Sequence, residues 1–294
     1  MSLEEKQALD GEAFTAVSSP GNGKDARQLQ RRRTKTLWLN SSHGFRETTL
    51  ELVRHLPATV TSIHIVARWI DDLTPLYDLR ERLKSLQLLV APGATLDLSR
   101  LPGLTSLSAD WPTVEESLHT ATELEDLYLG HFKERDLTPL SPLQSLRRLR
   151  MKDRPALTSL AGLDELVSLR SLTIAEGRRL TDITNLSGVV GRQLEALNLD
   201  NCRRLDDLDS LINCRSLTKL GLGDIGDVPS AQPLADLSEL RGLFLHGSTR
   251  FLDGDVSAIA RLPRLEVLGL MNRRHYRPDA HHLKALVEQR SRAR

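Results

Sequence analysis

The sequence predicts an α/β-type repeat solenoid, a horseshoe or arc. Its parallel strand ladder should line the concave face, with short 3-10 or irregular return arms on the convex face. Three observations predict it. Leu supplies about a fifth of the 294 residues while aromatic residues supply only 4%, as if one packing environment had been copied many times. The pattern L-x-x-L-x-L, or a close variant, occurs eleven times, its second apolar residue falling at Leu37, Ile63, Leu86, Leu107, Leu127, Leu149, Leu172, Leu197, Leu220, Leu243 and Leu268. The steps between these are 26, 23, 21, 20, 22, 23, 25, 23, 23 and 25 residues. Beyond the motif, finally, the apolar period changes from two to three.

Each element follows from that pattern. In Leu197-Asn198-Leu199 the apolar residues alternate, as in a strand with one buried face. Downstream, Cys202, Leu205, Leu208, Leu211, Cys214, Leu217 and Leu220 recur every third residue, and Leu157 to Leu172 does the same. That period fits a tight return path with one inward residue per turn. Asp72-Leu73-Thr74-Pro75-Leu76 is repeated identically as Asp136-Leu137-Thr138-Pro139-Leu140. Pro has no N–H to donate, so the segment belongs on the return arm, outside the ladder. One coil cannot bury its Leu face alone, so neighbours must stack.

The repeats span residues 34–275. Residues 1–33 are polar, include Ser18-Ser19-Pro20-Gly21-Asn22-Gly23-Lys24, and read as a flexible leader or N-terminal cap over the first coil. Residues 276–294 read as a capping helix and tail. Asp279 stands near the helix start, and His282, Leu283, Leu286 and Val287 follow it.

These motifs resemble the leucine-rich repeat superfamily. The D-L-x-P-L return arm is similar to the short repeats of internalin-type proteins, and LEALNLDNCRRLDDLDSL (194–211) to repeats of intracellular immune receptors. One departure matters. Where many members carry an Asn whose amide satisfies backbone groups between coils, this chain has Arg154, Gly177, Cys202, Ile225, Ser248 and Arg273. Its coils must be stitched by other groups.

Chemistry-bearing motifs are sparse, and no cofactor is expected. Gly21-Asn22-Gly23-Lys24 lacks the spacing of a phosphate-binding loop, and neither G-x-S-x-G nor H-E-x-x-H is present. His275, His281 and His282, with only Asp279 nearby, suit a solvated cap better than a metal site. Cys202 and Cys214 fall on inward positions and read as buried structural thiols. Forty Lys and Arg against 39 Asp and Glu give no overall basic or acidic balance. The acidic start, MSLEEKQALDGEAF, is unlike a secretory signal. No stretch matches a membrane span, and a cytoplasmic location is expected. Basic clusters mark both ends, Arg31-Arg32-Arg33 with Lys35, and Arg273-Arg274-His275 with Arg277.

The outward strand positions are then the informative surface. Between the last two apolar residues of each motif stand, in order, Trp38, His64, Gln87, Ser108, Tyr128, Arg150, Thr173, Asn198, Gly221, Phe244 and Gly269. Exposed aromatics and Arg are what binding hot spots are rich in. The candidate protein-binding set is Trp38, His64, Gln87, Asp126, Tyr128, Arg148, Arg150, Lys152, Asn198 and Phe244, with Asp126 and Tyr128 expected beside the Arg148–Lys152 strand. The resemblance implies a non-enzymatic protein-recognition module with another protein as partner, in an adaptor, sensor or inhibitor role. The alternative is a nucleic-acid-binding protein or enzyme using the basic strand Arg148–Lys152.

Overall fold

The computed structural model describes residues 3–7, 13–18 and 23–292. Of the polar stretch singled out above, 19–22 lie outside the described residues. By internal contacts the chain falls into two compact units, 1–129 and 130–294.

The first unit holds β1 (Leu3–Gln7), β2 (Ala13–Val17), α1 (Gly23–Arg31), β3 (Thr36–Asn40), β4 (Ser62–Val66), β5 (Ser85–Leu89), β6 (Ser106–Asp110), α2 (Trp111–Val114) and β7 (Asp126–Gly130), whose last residue opens the second unit. These strands pair in chain order. β1 and β2 form an antiparallel hairpin, Leu3 opposite Val17. From β2 to β5 the strands pair parallel, with Ala16 opposite Trp38, Trp38 opposite His64 and His64 opposite Gln87. The sheet therefore begins before the first recognisable motif. Thr15 and Val17 of β2 take the inward positions, and Thr15 Oγ1 meets Thr34 Oγ1 at 3.2 Å in the core.

The second unit holds β8 (Arg148–Lys152), β9 (Ser171–Ala175), α3 (Val189–Gln193), β10 (Ala196–Asp200), β11 (Lys219–Gly223), β12 (Asp227–Val228), β13 (Gly242–His246), β14 (Arg250–Phe251), α4 (Ser257–Arg261), β15 (Val267–Leu270) and α5 (Ala280–Arg292). β8, β9, β10, β11, β13 and β15 form one ladder in that order, and β12 pairs with β14 on the return side. Register is held across it, with Thr173, Asn198, Gly221, Phe244 and Gly269 side by side.

All eleven motifs lie on strands. Leu37, Ile63, Leu86, Leu107, Leu127, Leu149, Leu172, Leu197, Leu220 and Leu243 are at most 1% exposed. Leu268 departs from the expectation and is only half-buried. It stands on the last strand of the ladder, where no further coil covers it, and α5 supplies the packing there through buried Ala280, Leu283 and Val287. Asp279 begins that helix, its Oδ1 accepting the N–H groups of His281 and His282 at 3.0 Å.

The period-three segments are inward throughout. Leu157, Leu160, Leu163, Leu166 and Leu169 are fully buried, as are Cys202, Leu205, Leu211, Cys214 and Leu217. Short 3-10 turns carry them, including Thr74–Leu79 and Thr138–Leu140 on the two D-L-T-P-L segments. An Asp side chain opens several of these turns by accepting an N–H two residues on, Asp72 from Thr74, Asp136 from Thr138 and Asp182 from Thr184, and Asp255 does the same from Ser257 at the start of α4, each at 2.9 Å. The negative charge is favoured by those bonds. The backbone and side-chain groups of Thr74, Thr184 and Ser257 hold the carboxyls of Asp72, Asp182 and Asp255 below the usual carboxylate range.

The missing Asn ladder is replaced by assorted groups. Thr249 Oγ1 donates to the Leu222 carbonyl at 2.8 Å and accepts the Ile225 N–H at 3.3 Å. Arg273 donates to the Gly247 carbonyl at 2.7 Å, and the Cys202 thiol to the Asp200 carbonyl at 3.6 Å. At strand entries, two successive N–H groups share one carbonyl of the preceding coil, as Thr218 and Lys219 do with Glu195.

Candidate functional site

None of the ten candidate residues lies in the core. Trp38, His64, Gln87, Asp126, Tyr128, Arg150, Asn198 and Phe244 are half-buried, and Arg148 and Lys152 are exposed. The reason is the strand period. Their apolar neighbours in sequence point into the coil, so they point out. Asp126 and Tyr128 belong to the first unit by number and Arg148, Arg150 and Lys152 to the second, and each set is fixed by the ladder of its own unit.

In the first unit the outward face is crowded with rings. Trp38 stacks on Phe14 of β2 with centroids 3.7 Å apart and on His64 of β4 at 4.9 Å, with planes within 17°. His43 leans on both Phe14 and Trp38 at 5.9 and 5.8 Å, and Lys6 Nζ reaches its Nδ1 at 3.3 Å. Both faces of Trp38 are thus covered, and a partner would meet the edge of the stack. Phe14, His43 and Lys6 were outside the candidate set. The apolar run Ala13-Phe14-Thr15-Ala16-Val17 was the signal for a strand before the first motif, and a polar-leader reading passed over it.

In the second unit the same positions are hollow. Gly221 stands between Asn198 and Phe244, and Gly223 between Asp200 and His246. A Cβ on Gly221 would collide with Asn198 Oδ1, and one on Gly223 with His246 Nε2 and Asp200 Oδ1. The glycines let these side chains lie low across the strand. His246 Nε2 sits 3.3 Å from Asp200 Oδ1, and Lys219 Nζ lies 5.6 Å from the centre of the Phe244 ring. Asn198, Lys219, Gly221, Phe244 and His246 line, with Ser171 and Thr173, a trough of about 470 Å³. Sequence reasoning had named Asn198 and Phe244 but not Asp200, Lys219 or His246. All three occupy outward positions flanking the central one in the same motif.

The two cysteines, His275 and Asp279, singled out from the sequence, are engaged elsewhere. Cys202 and Cys214 are buried free thiols, and desolvation pushes both up to about 12. His275 Nε2 lies 3.0 Å from the Phe251 carbonyl, and Asp279 is occupied by the helix start. Several end arginines bond backbone carbonyls: Arg277 those of Arg274 and Tyr276, and Arg290 that of Ala260. Among the described residues no helix is long and apolar enough to cross a membrane.

No family model matches the sequence, and no curated protein matches it. Solved structures do. An internalin from Listeria monocytogenes is 22% identical, with a TM-score of 0.53 over 72% of this chain and 67% of that one. A leucine-rich repeat protein of Leptospira interrogans is 17% identical, with a TM-score of 0.50 over 87% of this chain and 59% of that one. The fold is that of these leucine-rich repeat structures. A TDR receptor is 18% identical, with a TM-score of 0.57 over 85% of this chain and 46% of that one. The chain thus spans well under two thirds of the Leptospira protein and less than half of the receptor. At these identities the likeness concerns the fold.

Proposed function

We propose that this chain is a non-enzymatic protein-recognition module that grips a partner protein through the outward strand face, the concave side of such a solenoid. The observation that carries this reading is the split of each strand that bears the repeat motif, from β3 onward, into two faces. An all-apolar inner face holds the ladder rigid, and an outer face presents aromatic, basic and amide side chains at successive strands. Rigid presentation lowers the ordering cost of binding, and Trp, Tyr and Arg are the side chains hot spots favour. Leucine-rich repeat proteins serve in general as interaction modules, which supports the same reading. An adaptor, a sensor subunit or an inhibitor would all use such a face, and a cytoplasmic location is part of the proposal.

The test is capture of a partner from the native source, followed by substitution on opposite sides of the coil. Tyr128→Ala with Arg150→Ala should weaken partner binding by at least ~2 kcal/mol, about thirtyfold or more, with little change in melting temperature. Glu165→Ala, exposed on the return turn Leu163–Glu165, should leave affinity unchanged. A partner indifferent to the double variant but lost on changes at Arg31–Arg33 or Arg273–Arg277 would place the interface at the ends. The second reading, a nucleic-acid site on β8, rests on exposed Arg148 and Lys152 flanking Arg150. It predicts nucleic-acid affinity that falls steeply with salt.

A further inference from the structure

We propose that the trough on the ladder face of the second unit is an anchor pocket for an acidic side chain, Asp or Glu, of the partner protein. This rests on the protein-recognition reading and deepens it by naming what the partner must offer. The argument begins with shape. Gly221 takes the central position of β11, with Asn198 on one neighbouring strand and Phe244 on the other, and Thr173 lies one strand further out. A side chain at 221 would fill the floor, so the hollow exists because the residue is Gly. At about 470 Å³ it has room for a side chain of a partner protein with part of its backbone.

Charge selects the occupant. Lys219 is exposed at one end, and among the described residues no ion pair joins it to a carboxylate. His246 closes the other end, and the Asp200 carboxylate, 3.3 Å from its Nε2, lies outside the lining. Ser171 and Thr173 add hydroxyl donors to the wall. A cationic side chain entering here would find no carboxylate in the lining and would be repelled by Lys219. A carboxylate would pair with an ammonium that, among the described residues, has the Phe244 ring but no carboxylate beside it, at a partly screened site where such contacts select more than they stabilise. Phe244 gives the apolar wall for the methylene stem, its ring lying against Gly269 and Gly242 at the distance a Cβ would touch.

The probe is N-acetyl-L-glutamate N-methylamide titrated into the full chain and followed by NMR at the Phe244 ring and Lys219 ammonium. The glutamine and lysine analogues serve as controls. A saturable shift is expected with the glutamate probe alone, with a Kd on the order of 1–10 mM as befits so small a ligand. Lys219→Met should weaken it at least tenfold, and Lys219→Glu should transfer the preference to the lysine probe while the rest of the spectrum stays folded. Equal binding of glutamate and glutamine probes, or an unchanged Kd in Lys219→Met, overturns the proposal. Capture of the natural partner separates the two readings. Loss with Tyr128→Ala and Arg150→Ala but full retention with Lys219→Glu refutes the anchor and leaves the ladder face standing. Retention with both refutes both.

Discussion

At the central outward position, β3 and β4 of the first unit carry Trp38 and His64, stacked on each other, with Phe14 stacked on Trp38 as well. At the same position, β11 and β15 of the second unit carry Gly221 and Gly269, and the Phe244 ring lies low beside them. The inner faces of these strands are nearly interchangeable: Leu37, Leu39, Ile63 and Ile65 in one, Leu220, Leu222, Leu243 and Leu245 in the other, all buried. A repeat coil therefore leaves its outer side chains free of the folding requirement. One unit uses that freedom to build a filled aromatic surface and the other to build a hollow.

The comparison breaks first if the inner face does not dominate stability. Leu197→Ala should cost about 2–5 kcal/mol, and Leu197→Asp more, because it leaves an unpaired charge in a sealed interior. Urea denaturation measures both. A loss below 1 kcal/mol for the Asp variant would mean that the coil interior is not the core described here. The outer faces should then differ from one another. Trp38→Ala removes two ring stacks, each worth roughly 0.5–1.5 kcal/mol beyond area burial, and should destabilise by about 1–3 kcal/mol on that basis. Phe244→Ala has no ring stack to lose and should cost under about 1 kcal/mol by the same reasoning. Equal losses would show that the filled and hollow faces are built alike.

The thiols and turns sharpen the account from the return side. Cys202 and Cys214 on native protein should resist a maleimide at pH 8, since burial lifts both to about 12 and the thiolate is the reactive form. Labelling should become fast only on denaturation. A smaller effect concerns acid. Asp72, Asp182 and Asp255 have carboxyls held below their ordinary range by the turn N–H and hydroxyl groups they accept. A group whose pKa is lower folded than unfolded adds stability above its unfolded value, near 4, and loses it as pH falls through the folded value. Stability should therefore decline below about pH 4. Asp72→Asn with Asp182→Asn, which keeps an acceptor oxygen but removes the titration, should flatten that decline in acid melts.

How much of this was readable depends on which face a residue serves. The ladder and its return arms were legible because burial forces Leu at fixed spacing, and periods of two and three announce strand and turn without any alignment. Leu268 escaped that logic because the motif describes an interior coil, and the terminal strand lacks one neighbour. The hairpin of β1 and β2 was hidden because its inward residues are Thr15 and Val17, which continue the sheet without continuing the Leu motif. The candidate surface was legible as a set of outward positions but not as a shape. Nothing in the spacing says that Trp38 has both faces covered, or that Asn198 and Phe244 flank a hollow. Those depend on which residue the neighbouring coil places alongside, Phe14 and His64 in one case and Gly221 in the other.

The most direct test of the central claim is hydroxyl-radical footprinting of the chain free and bound to its captured partner. The outward ladder residues Tyr128 and Phe244 should lose reactivity on binding. Trp69, exposed on the return side with its indole N–H on the Glu47 carbonyl at 2.7 Å, and Leu252, exposed beside β14, should keep theirs. Protection at Trp69 and Leu252 with Tyr128 and Phe244 unchanged would contradict the account.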